Sequence, residues 1–117
     1  MRVLRREDKK VIVENLMIAD RFLSRLKGLM LSKALPSNAG LLLKPCQSVH
    51  TFFMNYTIDV IFLDENNRII GIENNMRPYH ISKFYRKSQK VLEMNAGIID
   101  LNNLKIGDNL ELEGYEK

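Results

Sequence analysis

Tryptophan is absent from this 117-residue chain, and cysteine occurs only once. A single thiol, Cys46, cannot form an internal disulfide and fits a reducing compartment. His50 and His80 are the only histidines, and no CxxC pair accompanies them, whereas a metal centre needs three or four ligands at compatible spacing. Neither GxxxxGK[ST] nor GxGxxG occurs, which removes the usual cradles for nucleotide phosphates. No metal and no cofactor is expected. Long apolar runs are missing too: none approaches the ~20 residues of a membrane helix. The first ten residues carry Arg2, Arg5, Arg6, Lys9 and Lys10, too much charge for a signal peptide's apolar segment. The chain as it stands is therefore expected to be cytoplasmic, without a membrane span.

What is present is an ordinary globular composition, 45% hydrophobic and 27% charged. The length suits one core and not two, so residues 1–117 read as a single domain. The net charge of +4 gathers at Arg5, Arg6, Lys9 and Lys10, and again at Lys83, Arg86, Lys87 and Lys90. Neither cluster interleaves aromatics and glycines as an RNA-binding strand does, and no helix-turn-helix or zinc-finger pattern appears. Both clusters read as solvated basic surface, and nucleic acid is not an expected partner.

The most apolar stretch is 50–64, which nevertheless carries His50, Asn55, Thr57 and Asp59. Period-two alternation puts His50, Phe52, Met54 and Tyr56 on one face and Thr51, Phe53 and Asn55 on the other, so a central strand pair joined near 55–59 is predicted. The β-branched runs 60–63 and 69–72, separated by the polar residues 64–68, predict an antiparallel hairpin. Further strands are predicted over 2–4, 11–13, 41–43, 89–95 and 110–112. An amphipathic helix is expected from Ala19 to about Leu31, with Asp20 as its cap and Phe22, Leu26 and Leu29 on its apolar face. Residues 96–104 hold one or two more helical turns, and 74–87 is the least regular segment. The predicted class is mainly β (α+β): a small, β-barrel-like antiparallel sheet with one amphipathic helix and one or two short helical turns.

The motifs Arg25-Leu-Lys-Gly-Leu-Met30 and Gly40-Leu-Leu-Leu43, the stretch from His50-Thr-Phe-Phe-Met-Asn-Tyr to Asp64, Val91-Leu-Glu-Met-Asn-Ala-Gly97 and Ile106-Gly-Asp108 resemble the DUF192 family, an uncharacterised conserved bacterial and archaeal domain. The resemblance implies a small β-barrel-like domain with a helix and carries no established activity. Phe53 stands where members often have Trp, and Thr57-Ile58-Asp59 stands where a proline is frequent.

Chemistry-bearing residues are few. Asn55, Asp59, Glu93 and Asn95 lie in or beside apolar strands, where a buried polar group costs roughly 1–3 kcal/mol unless paired. They either pair with backbone or with Arg25, holding the sheet together, or line a polar cleft. The reading reached from sequence is a non-enzymatic binding domain for a small molecule or an extended peptide, lined by His50, Met54, Asn55 and Asp59, with Arg25 and Glu93 as electrostatic partners. The alternatives are a hydrolase or transferase using His50 with Asp59, and a structural or regulatory partner of a larger assembly. Cys46 follows Pro45 outside any motif that would activate a thiol, and is expected to be dispensable.

Overall fold

The structure, a computed structural model, describes residues 1–19, 35–52 and 54–115. Within them lie eight strands and one short helix: β1 (Arg2–Arg5), β2 (Val11–Val13), β3 (Asn15–Ala19), β4 (Ala39–Leu43), β5 (Ile58–Leu63), β6 (Ile69–Met76), β7 (Lys90–Asn95), α1 (Ile98–Leu101) and β8 (Leu110–Glu113). The chain is mainly β, as its periodicity predicts.

The strands make two sheets, one of order β2-β1-β8 and one of order β3-β4-β7-β5-β6. Among the described residues all strand pairings are antiparallel except β3 with β4, whose parallel register runs from Asn15 opposite Ala39 to Ala19 opposite Leu43. A purely antiparallel sheet is thus corrected by one parallel pair, and no strand pairing among the described residues joins the two sheets into a barrel. The predicted amphipathic helix lies outside the described residues apart from Ala19, which closes β3.

The β5–β6 hairpin forms as its sequence predicts, and it is longer than the two β-branched runs. Asp64 organises the turn, since its Oδ1 accepts from the N–H of Asn66 at 2.8 Å and of Arg68 at 3.0 Å. Asn67 takes up a φ of 62° there, a conformation asparagine tolerates better than most residues.

The five-stranded sheet is covered on both faces, so β5 is buried at every position and reads as one continuous apolar run. On one face Leu42, Ile61, Leu63, Leu92 and Met94 pack with Val3, Ile12, Leu110 and Leu112 of the smaller sheet and with Ile99 of α1. On the other face Leu41, Leu43, Ile58, Val60, Phe62 and Val91 form a second apolar cluster with Leu35, Val49 and Met54.

The segment before β5 corrects the predicted central strand pair. Among the described residues of 50–57 none lies in a strand, and the ladder contact found there is an isolated bridge between His50 and Ile81. The burial there does not keep the predicted alternation: Thr51 and Met54, which a strand would turn to opposite faces, are both buried, Met54 with Val49 in the second cluster, while His50 and Asn55 are both exposed. The backbone of the segment pairs instead with residues 77–89. Thr51 N–H donates to the carbonyl of His80, Tyr79 N–H to that of Thr51, Ser82 N–H to that of Val49, and Tyr85 N–H to that of Gln47, at 2.8–3.0 Å.

Candidate functional site

Asp59 is fully buried on β5 and directly opposite Met94 of β7, so its side chain faces the cluster shared with the smaller sheet. Its carboxylate is met by backbone alone. Oδ1 accepts from Asn75 N–H at 2.9 Å, while Oδ2 accepts from Gly97 N–H at 3.0 Å and Ile99 N–H at 2.9 Å. These donors belong to the end of β6 and the start of α1, where the first N–H groups of a helix have no partner within it. Gly97, at φ 98°, makes the left-handed turn that aims them. Asp59 therefore ties α1 and β6 to β5. The predicted partner Arg25 lies outside the described residues, and His50 is not among the groups bonded to Asp59.

Glu93 is a different kind of group. It lies opposite Leu41 of β4 and Val60 of β5, both in the cluster on the second face, and is itself only 7% exposed. Among the described residues no hydrogen bond or ion pair meets its carboxyl. Burial raises its pKa to about 8, so the group is mainly protonated at neutral pH. Tyr56 lies near enough to feel it: its hydroxyl is pushed up to about 12, first by burial and then by the charge of Glu93. That hydroxyl is buried without a hydrogen-bond partner among the described residues.

The remaining sequence-predicted residues divide by position. Met54 is buried in the cluster that Glu93 faces, and Asn55 is exposed beside it. His50 is exposed, with its ring 5.1 Å from that of Phe52. Asn95 is a brace, because its Nδ2 donates to the carbonyls of Leu35 at 3.3 Å and Pro36 at 3.4 Å. The sequence groups Asn55, Asp59, Glu93 and Asn95 together; the structure puts the two carboxyls on opposite faces of one sheet.

Two features lack a signal in the sequence. Tyr85 packs its ring 4.1 Å from Phe62 and donates its hydroxyl to Glu73 at 3.1 Å, and burial together with Glu73 raises its pKa to about 12. An open cavity of about 330 Å³ is lined by Lys44, Pro45, Glu65, Gln89, Lys90 and Tyr115, residues that converge from four separate segments. Among the described residues, no three His, Cys, Asp or Glu side chains cluster as a metal site would need, and no helix is long and apolar enough to cross a membrane.

Comparison with known proteins agrees with this architecture. The DUF192 family model, described as an uncharacterized ACR, matches residues 3–112. A UPF0127 protein of Thermococcus sibiricus is 34% identical over 116 residues, covering 92% of this chain and 72% of that one. A UPF0127 protein of Pyrococcus abyssi is 32% identical, covering 95% of this chain and 97% of its own. A crystal structure of a protein of unknown function from Novosphingobium aromaticivorans superimposes with a TM-score of 0.83 at 23% identity, over 95% of this chain and 84% of that one. This last likeness is one of fold.

Proposed function

This chain belongs to the DUF192 family, and we propose that it is a non-enzymatic binding domain whose ligand is held on the second face of the large sheet, at Glu93. The observation that carries the reading is the buried Glu93 carboxyl, which no described residue pairs, set among Leu41, Val60 and Met54 with the Tyr56 hydroxyl close by. An unpaired carboxyl in an apolar wall weakens a fold, and perturbed groups of this kind gather at functional sites. A ligand that brings a donor removes the cost.

The chemistry that suits the site is an aliphatic body ending in an amine or amide, from a small molecule or from a side chain of an extended peptide. The aliphatic part matches the Leu41, Val60 and Met54 wall, and the donor meets Glu93. A cationic amine pairs with the ionised carboxylate, so its affinity rises as pH rises through about 8. Asn55 and His50, both exposed, stand as rim residues, and Asp59 serves the frame. Arg25 remains a candidate partner of the ligand or of Glu93.

The test is a titration of amide ¹⁵N–¹H spectra with n-butylammonium and, separately, with N-butylacetamide. Shifts confined to residues 91–95 and 54–57 are expected, larger for the ammonium at about pH 9 than at about pH 6, and absent from Glu93→Leu. No localised shift with either probe overturns the reading.

A further inference from the structure

A second surface stands independently of the Glu93 reading. Seven large hydrophobic side chains are exposed among the described residues, and three of them fall within one short stretch: Tyr79 at 67%, Ile81 at 67% and Phe84 at 66%. The segment from Arg77 to Gln89 contains no aspartate or glutamate, while Arg77, His80, Lys83, Arg86 and Lys87 are all exposed within it. Apolar tips and cations therefore alternate along one loop.

The loop is held rather than loose. Its inward residues Ser82, Tyr85 and Ser88 are anchored: Val49 N–H donates to Ser82 Oγ at 3.0 Å, Tyr85 packs on Phe62, and Ser88 Oγ donates to the carbonyl of Lys90 at 3.1 Å. Backbone bonds to Gln47, Val49, Thr51 and Leu63 fix its course along the body of the protein. Among the described residues the one carboxylate bonded to the segment, Glu73, accepts from the N–H of Lys83 and the hydroxyl of Tyr85. No ion pair neutralises Arg77, Lys83, Arg86 or Lys87 among the described residues. Exposing three large apolar groups on a braced loop costs solvation free energy that flexibility does not recover.

From this arrangement we propose that the 77–89 loop docks on an anionic membrane surface, with Tyr79, Ile81 and Phe84 entering the headgroup region and the surrounding cations facing lipid phosphates. Charge complementarity selects this partner: juxtamembrane cations are drawn to an anionic leaflet, and apolar side chains deepen the attachment. Single-stranded nucleic acid fits less well, since it would use Tyr79 and Phe84 as stacking platforms and leave Ile81 with no role. The attachment is peripheral, through one loop.

The experiment is co-sedimentation of the full chain with vesicles of phosphatidylcholine containing roughly one-third phosphatidylglycerol, and with phosphatidylcholine alone. Binding is expected only to the anionic vesicles and should weaken as salt rises. A variant carrying Tyr79→Ser, Ile81→Ser and Phe84→Ser, checked for an unchanged melting temperature, should bind at least about tenfold more weakly. Because the chain has no tryptophan, Phe84→Trp supplies a unique probe whose emission should shift to the blue on anionic vesicles. Undiminished binding by the triple variant, an unshifted Phe84→Trp spectrum, or absence of vesicle binding overturns the proposal. So does binding to an oligothymidylate strand without binding to vesicles.

Discussion

Asp59 and Glu93 lie one residue out of register on neighbouring strands: Asp59 pairs with Met94, and Val60 pairs with Glu93. Side chains on a strand alternate between faces, so the two buried carboxyls of the sheet point in opposite directions. One is saturated by three backbone N–H groups, and the other meets no hydrogen-bond donor among the described residues. The same chemical group thus serves as a bracket on one face and a poised acid on the other.

The bracket gives the first prediction. Asp59→Asn keeps the shape but turns an amide N–H₂ toward one set of backbone donors, so at least one charge-assisted bond is lost and a donor faces a donor. Stability should fall by about 2–4 kcal/mol, read from urea unfolding. Amide exchange should quicken at Gly97 and Ile99, whose N–H groups bond to Oδ2. A variant with wild-type stability and wild-type protection at these two amides would contradict the bracket.

The poised acid gives the second. Burial raises Glu93 from 4.5 to about 8, so the folded protein retains a proton that the unfolded chain has already released. Stability from this group is fully present below about pH 4.5, declines as pH rises toward about 8, and is level above that. The decline amounts to roughly 5 kcal/mol at most, a large share of a small domain's stability. Glu93→Gln, neutral throughout, should flatten it, leaving the variant close to wild type near pH 5 and more stable near pH 9. Parallel pH profiles for the two proteins would show that Glu93 is not held protonated.

How far the sequence discloses this arrangement depends on how local the cause is. The β5–β6 hairpin is legible because its signal is contiguous: two β-branched runs and an Asp64 turn that bonds itself. The cost of burying Asp59 is also legible, but its partners are not. They are main-chain groups at Asn75, Gly97 and Ile99, and a main-chain N–H leaves no mark in a residue pattern. The sequence of 50–57 imitates a strand in residue type alone: Thr51 and Met54 are both buried and His50 and Asn55 both exposed, a burial that does not keep a period of two. β3 escapes notice for a related reason: its ladder is parallel with β4, and no adjacent turn announces such a pair. Glu93 is singled out by its apolar neighbours, yet which face it occupies follows only from register.

Thr51 carries the third prediction. It is fully buried, its Oγ1 accepts from His80 N–H at 2.9 Å and donates to the carbonyl of Arg77, and its backbone bonds to Tyr79 and His80. Thr51→Val conserves shape while leaving that carbonyl and N–H without the hydroxyl. A loss of about 1–3 kcal/mol is expected. Limited proteolysis should show faster cleavage within residues 77–82, and an unchanged cleavage rate would separate Thr51 from the loop's order.

Gly71 and Tyr85 carry the last. A Cβ built on Gly71 would come within 2.3 Å of Tyr85 Cε2 and 2.6 Å of its Cδ2 and Cζ. A ring at the end of a free side chain could step aside, but this one stacks on Phe62 at 4.1 Å and is tethered through its hydroxyl to Glu73. The glycine is therefore the floor on which Tyr85 lies. Gly71→Ala should cost about 1–3 kcal/mol by overpacking, and Tyr85→Ala about 3–5 kcal/mol by leaving a cavity against Phe62. Once the ring is gone the added methyl has room, so the double variant should be clearly less destabilised than the sum of the two. Equilibrium unfolding of all four proteins completes the cycle, and strict additivity would show that the two residues do not share the contact.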